Sequence, residues 1–115
     1  MDAPLRRLVA YVAGAAATGQ AAEGVFDFEV GSRFPVTGSV ADDRVDVTDA
    51  TDGVRLGGTL PDLKRNDGTA VELRLDGDDF EGVDHGSGHV FRGRVSGRNI
   101  DLTDAADGIE RFYCL

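Results

Sequence analysis

Two stretches decide the fold: VTGSVADDRVDVTDATDGVRLGGTL, residues 36–60, and FRGRVSGRNIDLTDAADGIERFYCL, residues 91–115. They align without a gap at an offset of 55, and the match reaches back to residues 25 and 80. Eleven of the 36 aligned pairs are identical, among them Gly38/Gly93, Val40/Val95, Asp46/Asp101, Asp49/Asp104, Asp52/Asp107 and Gly53/Gly108. A missing gap carries physical weight, because one inserted residue in a strand turns every later side chain to the other face. The chain therefore reads as an internal repeat, 25–60 and 80–115, within a single domain of 1–115.

Inside each copy the apolar period is two. It runs through Phe26, Phe28 and Val30, then Phe34, Val36, Gly38 and Val40, then Val45 and Val47, then Val54, Leu56, Gly58 and Leu60. The second copy repeats the pattern in Phe91, Gly93 and Val95 and in Ile100 and Leu102. Strands are expected near 25–30, 33–40, 44–49 and 53–60, and again near 80–84, 88–95, 99–104 and 108–115. A further strand at 70–75 precedes the second copy, and PDLKRNDG (61–68) reads as the linker between halves. The expected fold is mainly β: an antiparallel meander of eight to nine strands from two four-strand repeats. One apolar face lets it curl as a barrel or strongly curved sheet, with a two-sheet sandwich as the alternative. Gly38 and Gly93, mid-strand on the apolar face, mark a bend or a close approach.

Residues 2–22, DAPLRRLVAYVAGAAATGQAA, carry the only helical pattern, expected over 3–20. Asp2 suits the N-cap, Pro4 the first turn, and Gly19 or Gly24 the end. Leu5, Leu8, Val9, Val12 and Ala16 form one stripe, which packs the helix on the sheet, over an open end or edge. The alternative has the sheet curling around the Ala-rich helix. Read as a signal peptide instead, residues 1–22 would make the protein secreted. The helix reading leaves it cytoplasmic.

Composition excludes several classes. The 21 acidic residues outnumber the 12 basic ones, giving a net charge of -9, so a basic nucleic-acid-binding patch is not expected. Asp supplies most of the acid and sits with Gly in turns, where both belong on backbone grounds. The single cysteine, Cys114, cannot staple the chain to itself, and no apolar run is long enough to cross a membrane.

Chemistry is sparse. Asp49-Ala50-Thr51-Asp52-Gly53 and Asp104-Ala105-Ala106-Asp107-Gly108 hint at calcium loops, yet Ala stands where ligands would be needed, so both read as turns. Asp84-His85-Gly86-Ser87-Gly88-His89 holds both histidines. Asp84, His85 and His89 form the weak metal candidate, short of a fourth ligand, while the alignment of His89 with Phe34 suggests that His89 faces the core. No cofactor is implied, and no residue set argues for an enzyme. The leading expectation is a non-catalytic acidic protein that binds another protein, with the charge favouring a basic one. The alternatives are a small-molecule or lipid carrier with a pocket inside the curved sheet, and a metal site or enzyme at Asp84, His85 and His89.

Overall fold

In a computed structural model of the chain, which describes residues 1–115, the N-terminal helix α1 runs over Ala3–Thr18. The Asp2 carboxylate accepts the Leu5 N–H at 3.0 Å, Pro4 lies in the first turn, and Gly19 closes the helix in the left-handed region. Ten strands follow: β1 (Gly24–Asp27), β2 (Ser32–Ala41), β3 (Arg44–Asp49), β4 (Arg55–Thr59) and β5 (Asp62–Arg65), then β6 (Ala70–Asp76), β7 (Asp79–Asp84), β8 (His89–Ser96), β9 (Asn99–Asp104) and β10 (Ile109–Cys114). Each pairs antiparallel with the next, and β1 meets β10 with Phe26 opposite Cys114, so the meander closes into a barrel.

The helix does not cover an end of this barrel; it runs through the middle. Nine consecutive residues, Arg7 to Ala15, are buried, which is more than two helical turns and so covers every side of α1. The helix touches β1, β2, β3, β6, β8 and β9, and it supplies eight of the 24 core residues. Eight strands enclose an interior that side chains alone fill, so ten leave space for a slim helix. Ala10, Ala13, Gly14 and Ala15 keep it slim. A Cβ on Gly14 would lie 2.8 Å from Leu115 Cδ1 and 3.1 Å from Ile100 Cδ1. The stripe read from the sequence was too narrow because these small residues hardly register as apolar. The space that a carrier would need inside the sheet holds α1, and cleavage after residue 22 would empty it.

The registers of the two halves run in parallel over three strands. Val36 faces Asp49 as Phe91 faces Asp104, and Arg44 faces Thr59 as Asn99 faces Cys114. At β1 the correspondence breaks. Gly24 faces Pro35, the counterpart of Val90, whereas Asp79 faces Arg94. The slip is an even number of residues, so inward faces stay inward.

Three further expectations from the sequence are corrected. The expected linker contains β5, with Leu63 buried, so the strands number ten rather than eight to nine. In β1 the inward residues are Val25 and Asp27, so Phe26 is only half-buried while Phe28 and Val30 are exposed in the following turn. His89 is exposed rather than packed. Gly38 does mark a close approach: its φ is +100°, and a Cβ there would sit 1.9 Å from the Asp46 carbonyl oxygen. Gly93 and Gly82 press on neighbouring carbonyls in the same way, each under the ring of a cross-strand phenylalanine, Phe80 and Phe91.

Candidate functional site

One mouth of the barrel gathers the buried charge. Four hairpins there share a device. Asp27, Asp49, Asp84 and Asp104 each accept, through a carboxylate oxygen, the N–H two residues on, and through the carbonyl the N–H of a glycine four residues on. Those glycines, Gly31, Gly53, Gly88 and Gly108, all have φ near +70°. Two of the four are the Asp-x-x-Asp-Gly segments; the signal shared by all four is Asp-x-x-x-Gly. Both Asp-x-x-Asp-Gly segments are thus turns organised by their first aspartate.

The second oxygen of these aspartates faces the start of α1. Arg7 is 4% exposed and lies 3.5 Å from Asp27, 3.4 Å from Asp49 and 2.8 Å from Asp52, its guanidinium 3.7 Å above the Phe34 ring. The terminal ammonium at Met1 pairs with Asp104 and approaches Asp84 at 3.8 Å. Burial opposes ionisation of Asp104, but the hydrogen bonds from that ammonium and from the Ala106 N–H prevail and hold its carboxyl below the ordinary range. Together with the positive end of the helix dipole, these cations balance the aspartates. The ring anchors α1; every oxygen facing inward already has a protein partner of this kind.

The metal candidates do not converge. Asp84 is buried, accepting from the Gly86 N–H and the Ser87 hydroxyl. His85 is half-exposed with Nε2 3.7 Å from Glu72, and His89 stands in solvent. No group of three or more His, Cys, Asp or Glu side chains is arranged to hold a metal ion. Cys114 sits on the outer face beside Phe26, its thiol directed at the Leu115 carbonyl.

The outer wall carries two grooves at equivalent positions of the repeat. The first, about 670 Å³, lies over β3, β4 and β5 and is lined by Ala41, Arg44, Val45, Asp46, Gly57 and Gly58 together with Arg55, Lys64 and Arg65. The second, about 440 Å³, lies over β9, β10 and the turn after β1, and is lined by Ser96, Asn99, Ile100, Asp101, Phe112, Tyr113 and Phe28. Each of the first six residues in one is 55 positions from its counterpart in the other. The two strand pairs share one register, but Gly58 has a φ of +134° where Tyr113 has none of that kind, and the flanking strand is β5 in the first groove and β1 in the second. Gly57 leaves the first floor bare, whereas Phe112 fills the second.

Phe112 does not stand alone. Phe28 is 56% exposed and Phe112 52%, and the Phe28 N–H bonds the Phe112 carbonyl at 3.2 Å, which sets the two residues side by side. Phe26 meets Phe28 edge to face with ring centroids 4.9 Å apart. Acidic residues surround the pair: Asp101 lies directly across from Phe112, Glu110 precedes it on β10, and Glu29 follows Phe28. Glu29 is tied to Arg111 at 3.0 Å. No helix of the chain is long and apolar enough to cross a membrane. No protein-family model matches the chain, and no curated protein or solved structure is significantly similar to it.

Proposed function

We propose that the protein acts by binding, docking a basic protein segment on the aromatic seam formed by Phe28 and Phe112. The observation that carries this reading is the pair of half-exposed phenylalanines on the outer wall, with Asp101 directly across from Phe112 and Glu110 two residues before it on β10. Water gains nothing from two large exposed rings, and contiguous apolar surface with a polar rim is what interaction sites present. Arginine of a partner can lie flat on a phenylalanine face while its charge meets a rim carboxylate, and this pairing is frequent at interface hot spots. The net charge of -9 adds long-range steering toward a basic surface. An unpaired Cys114, which stays reduced in the cytoplasm, supports a cytoplasmic location.

A fluorescein-labelled peptide of alternating Arg and Leu, followed by fluorescence anisotropy, tests the proposal. It should bind, and Phe112→Ser should weaken it about tenfold or more, the equivalent of about 1.4 kcal/mol. Added salt should weaken it further, since the rim charges are exposed. Phe112 points outward, so thermal melts of the variant should match the parent. Equal affinity for wild type and Phe112→Ser, or equal affinity for an acidic peptide of the same length, would refute the seam as the docking site.

A further inference from the structure

The groove over Gly57 inverts the charge of the surface around it. Its lining takes four of the chain's 12 basic residues, Arg44, Arg55, Lys64 and Arg65, and only one of its 21 acids, Asp46. Two of the cations are occupied. Arg55 binds Asp46 at 2.8 Å, holding that carboxyl below its ordinary range, and Arg65 binds Asp2 at 2.7 Å. Arg44 and Lys64 are exposed and make no ion pair, although acids are abundant elsewhere. On the sheet the central row reads Asp46, Gly57, Lys64, with Arg44 and Arg55 in the rows on either side. Gly57 supplies the depression: it needs no special backbone angle, and a Cβ there would meet nothing nearer than the Val45 carbonyl oxygen at 3.5 Å.

The second half of the chain is an internal control. At the equivalent positions Arg44 becomes Asn99, Arg55 becomes Glu110 and Gly57 becomes Phe112. The second groove, built on a strand pair of the same register but flanked by β1 in place of β5, carries no cation. The shared register alone therefore does not make a basic groove.

We infer that the Gly57 groove is a binding site for a small oxyanion ligand carrying two or more negative charges, of the phosphate or dicarboxylate class. Guanidinium forks match the paired oxygens of either group, and the ammonium of Lys64 adds a mobile point charge. The volume is that of a small-ligand site. A long polyanion is disfavoured because the acidic surface beyond the groove would repel it, which sets nucleic acid apart from the ligands proposed. This site is separate from the aromatic seam and does not depend on it.

Titration of the isotope-labelled protein with pyrophosphate, followed by amide chemical shifts, tests the inference, with succinate as the arm that separates phosphate from carboxylate recognition. Saturable shifts should be confined to β3, β4 and β5. Arg44→Gln combined with Lys64→Gln should weaken binding about tenfold or more, about 1.4 kcal/mol. Gly57→Phe, which copies the second groove and finds space for its Cβ, should abolish binding while the spectrum stays folded. Arg92→Gln, an exposed cation outside the groove, should change nothing. Failure of both anions to produce saturable shifts, or equal weakening by Arg92→Gln, would overturn the inference. A Gly57→Phe variant that folds and still binds would do the same.

Discussion

Replacing Arg7 by methionine removes the one side chain that ties α1 to two buried carboxylates at once. Methionine fills much of the space of the arginine stem, so the change is chiefly electrostatic. In the wild type the guanidinium faces Asp27, Asp49 and Asp52, and of these Asp27 and Asp49 are 3% and 1% exposed. Stripped of their partner, the two carboxylates stay in the barrel mouth without a countercharge, and breaking a buried pair in this way costs about 3–5 kcal/mol. Loss of the stack on Phe34 falls within that range. Against a total stability of about 5–15 kcal/mol, that loss is a large fraction of the whole. A protein of this length loses about 4 °C of melting temperature per kcal/mol, so the drop should be about 12–20 °C by calorimetry. Adding Asp27→Asn and Asp49→Asn to Arg7→Met should recover part of the loss, because amides tolerate the site better than stranded charges. A melting temperature for Arg7→Met within about 3 °C of the parent would refute the reasoning, since it would mean that water reaches and solvates the carboxylates.

Gly38→Ala should destabilise by about 1–3 kcal/mol through its positive φ and its clash with the Asp46 carbonyl, whereas Gly57→Ala should lie within about 0.5 kcal/mol of the parent; urea midpoints compare them. Val12→Asp buries an unpaired charge on the wholly enclosed side of α1 and should leave no folded population by circular dichroism; a cooperative melt near that of the parent would contradict the helix-in-barrel packing. Acid should also find a defined weak point. The Arg111 guanidinium, with help from the Ile109 N–H, holds the Asp107 carboxyl at about 2 against an ordinary 3.8. A carboxyl lowered in the folded state stabilises above its ordinary value, and that contribution disappears as the pH falls through about 2. Asp107→Asn should therefore flatten the acid limb of the stability curve between these values, and an unchanged limb would show that the pair contributes nothing.

The elements that local rules govern were legible in the sequence. Asp2, Pro4 and Gly19 bound the helix because capping needs only neighbouring residues, and β3 and β9 end where Asp49 and Asp104 open their turns. What local rules missed depended on partners distant in sequence. Strand β5 has a single inward apolar residue, Leu63, among Asp62, Lys64 and Arg65, so its pairing with β4 and β6 leaves little periodic trace. Around β1 the stronger apolar residues are Phe26 and, in the turn after it, Phe28, yet Val25 and Asp27 face inward, where Arg7 on α1 neutralises Asp27. The helix entered the barrel rather than capping it because alanines and Gly14 trade side-chain volume for close approach, a trade that hydrophobicity undervalues. The grooves escaped notice for a different reason. The repeat is recognised by its identical pairs, and Gly57/Phe112 and Arg44/Asn99 are mismatches.

Recognition localised on the seam differs from recognition spread over an acidic surface in where the partner is felt. Amide chemical-shift mapping of the Arg/Leu peptide on the labelled protein tests this most directly. Saturable shifts should appear at Phe28, Asp101, Glu110 and Phe112, with the groove from Arg44 to Lys64 undisturbed. Shifts distributed over the exposed aspartates in proportion to local charge, and unaffected by Phe112→Ser, would contradict recognition on the seam.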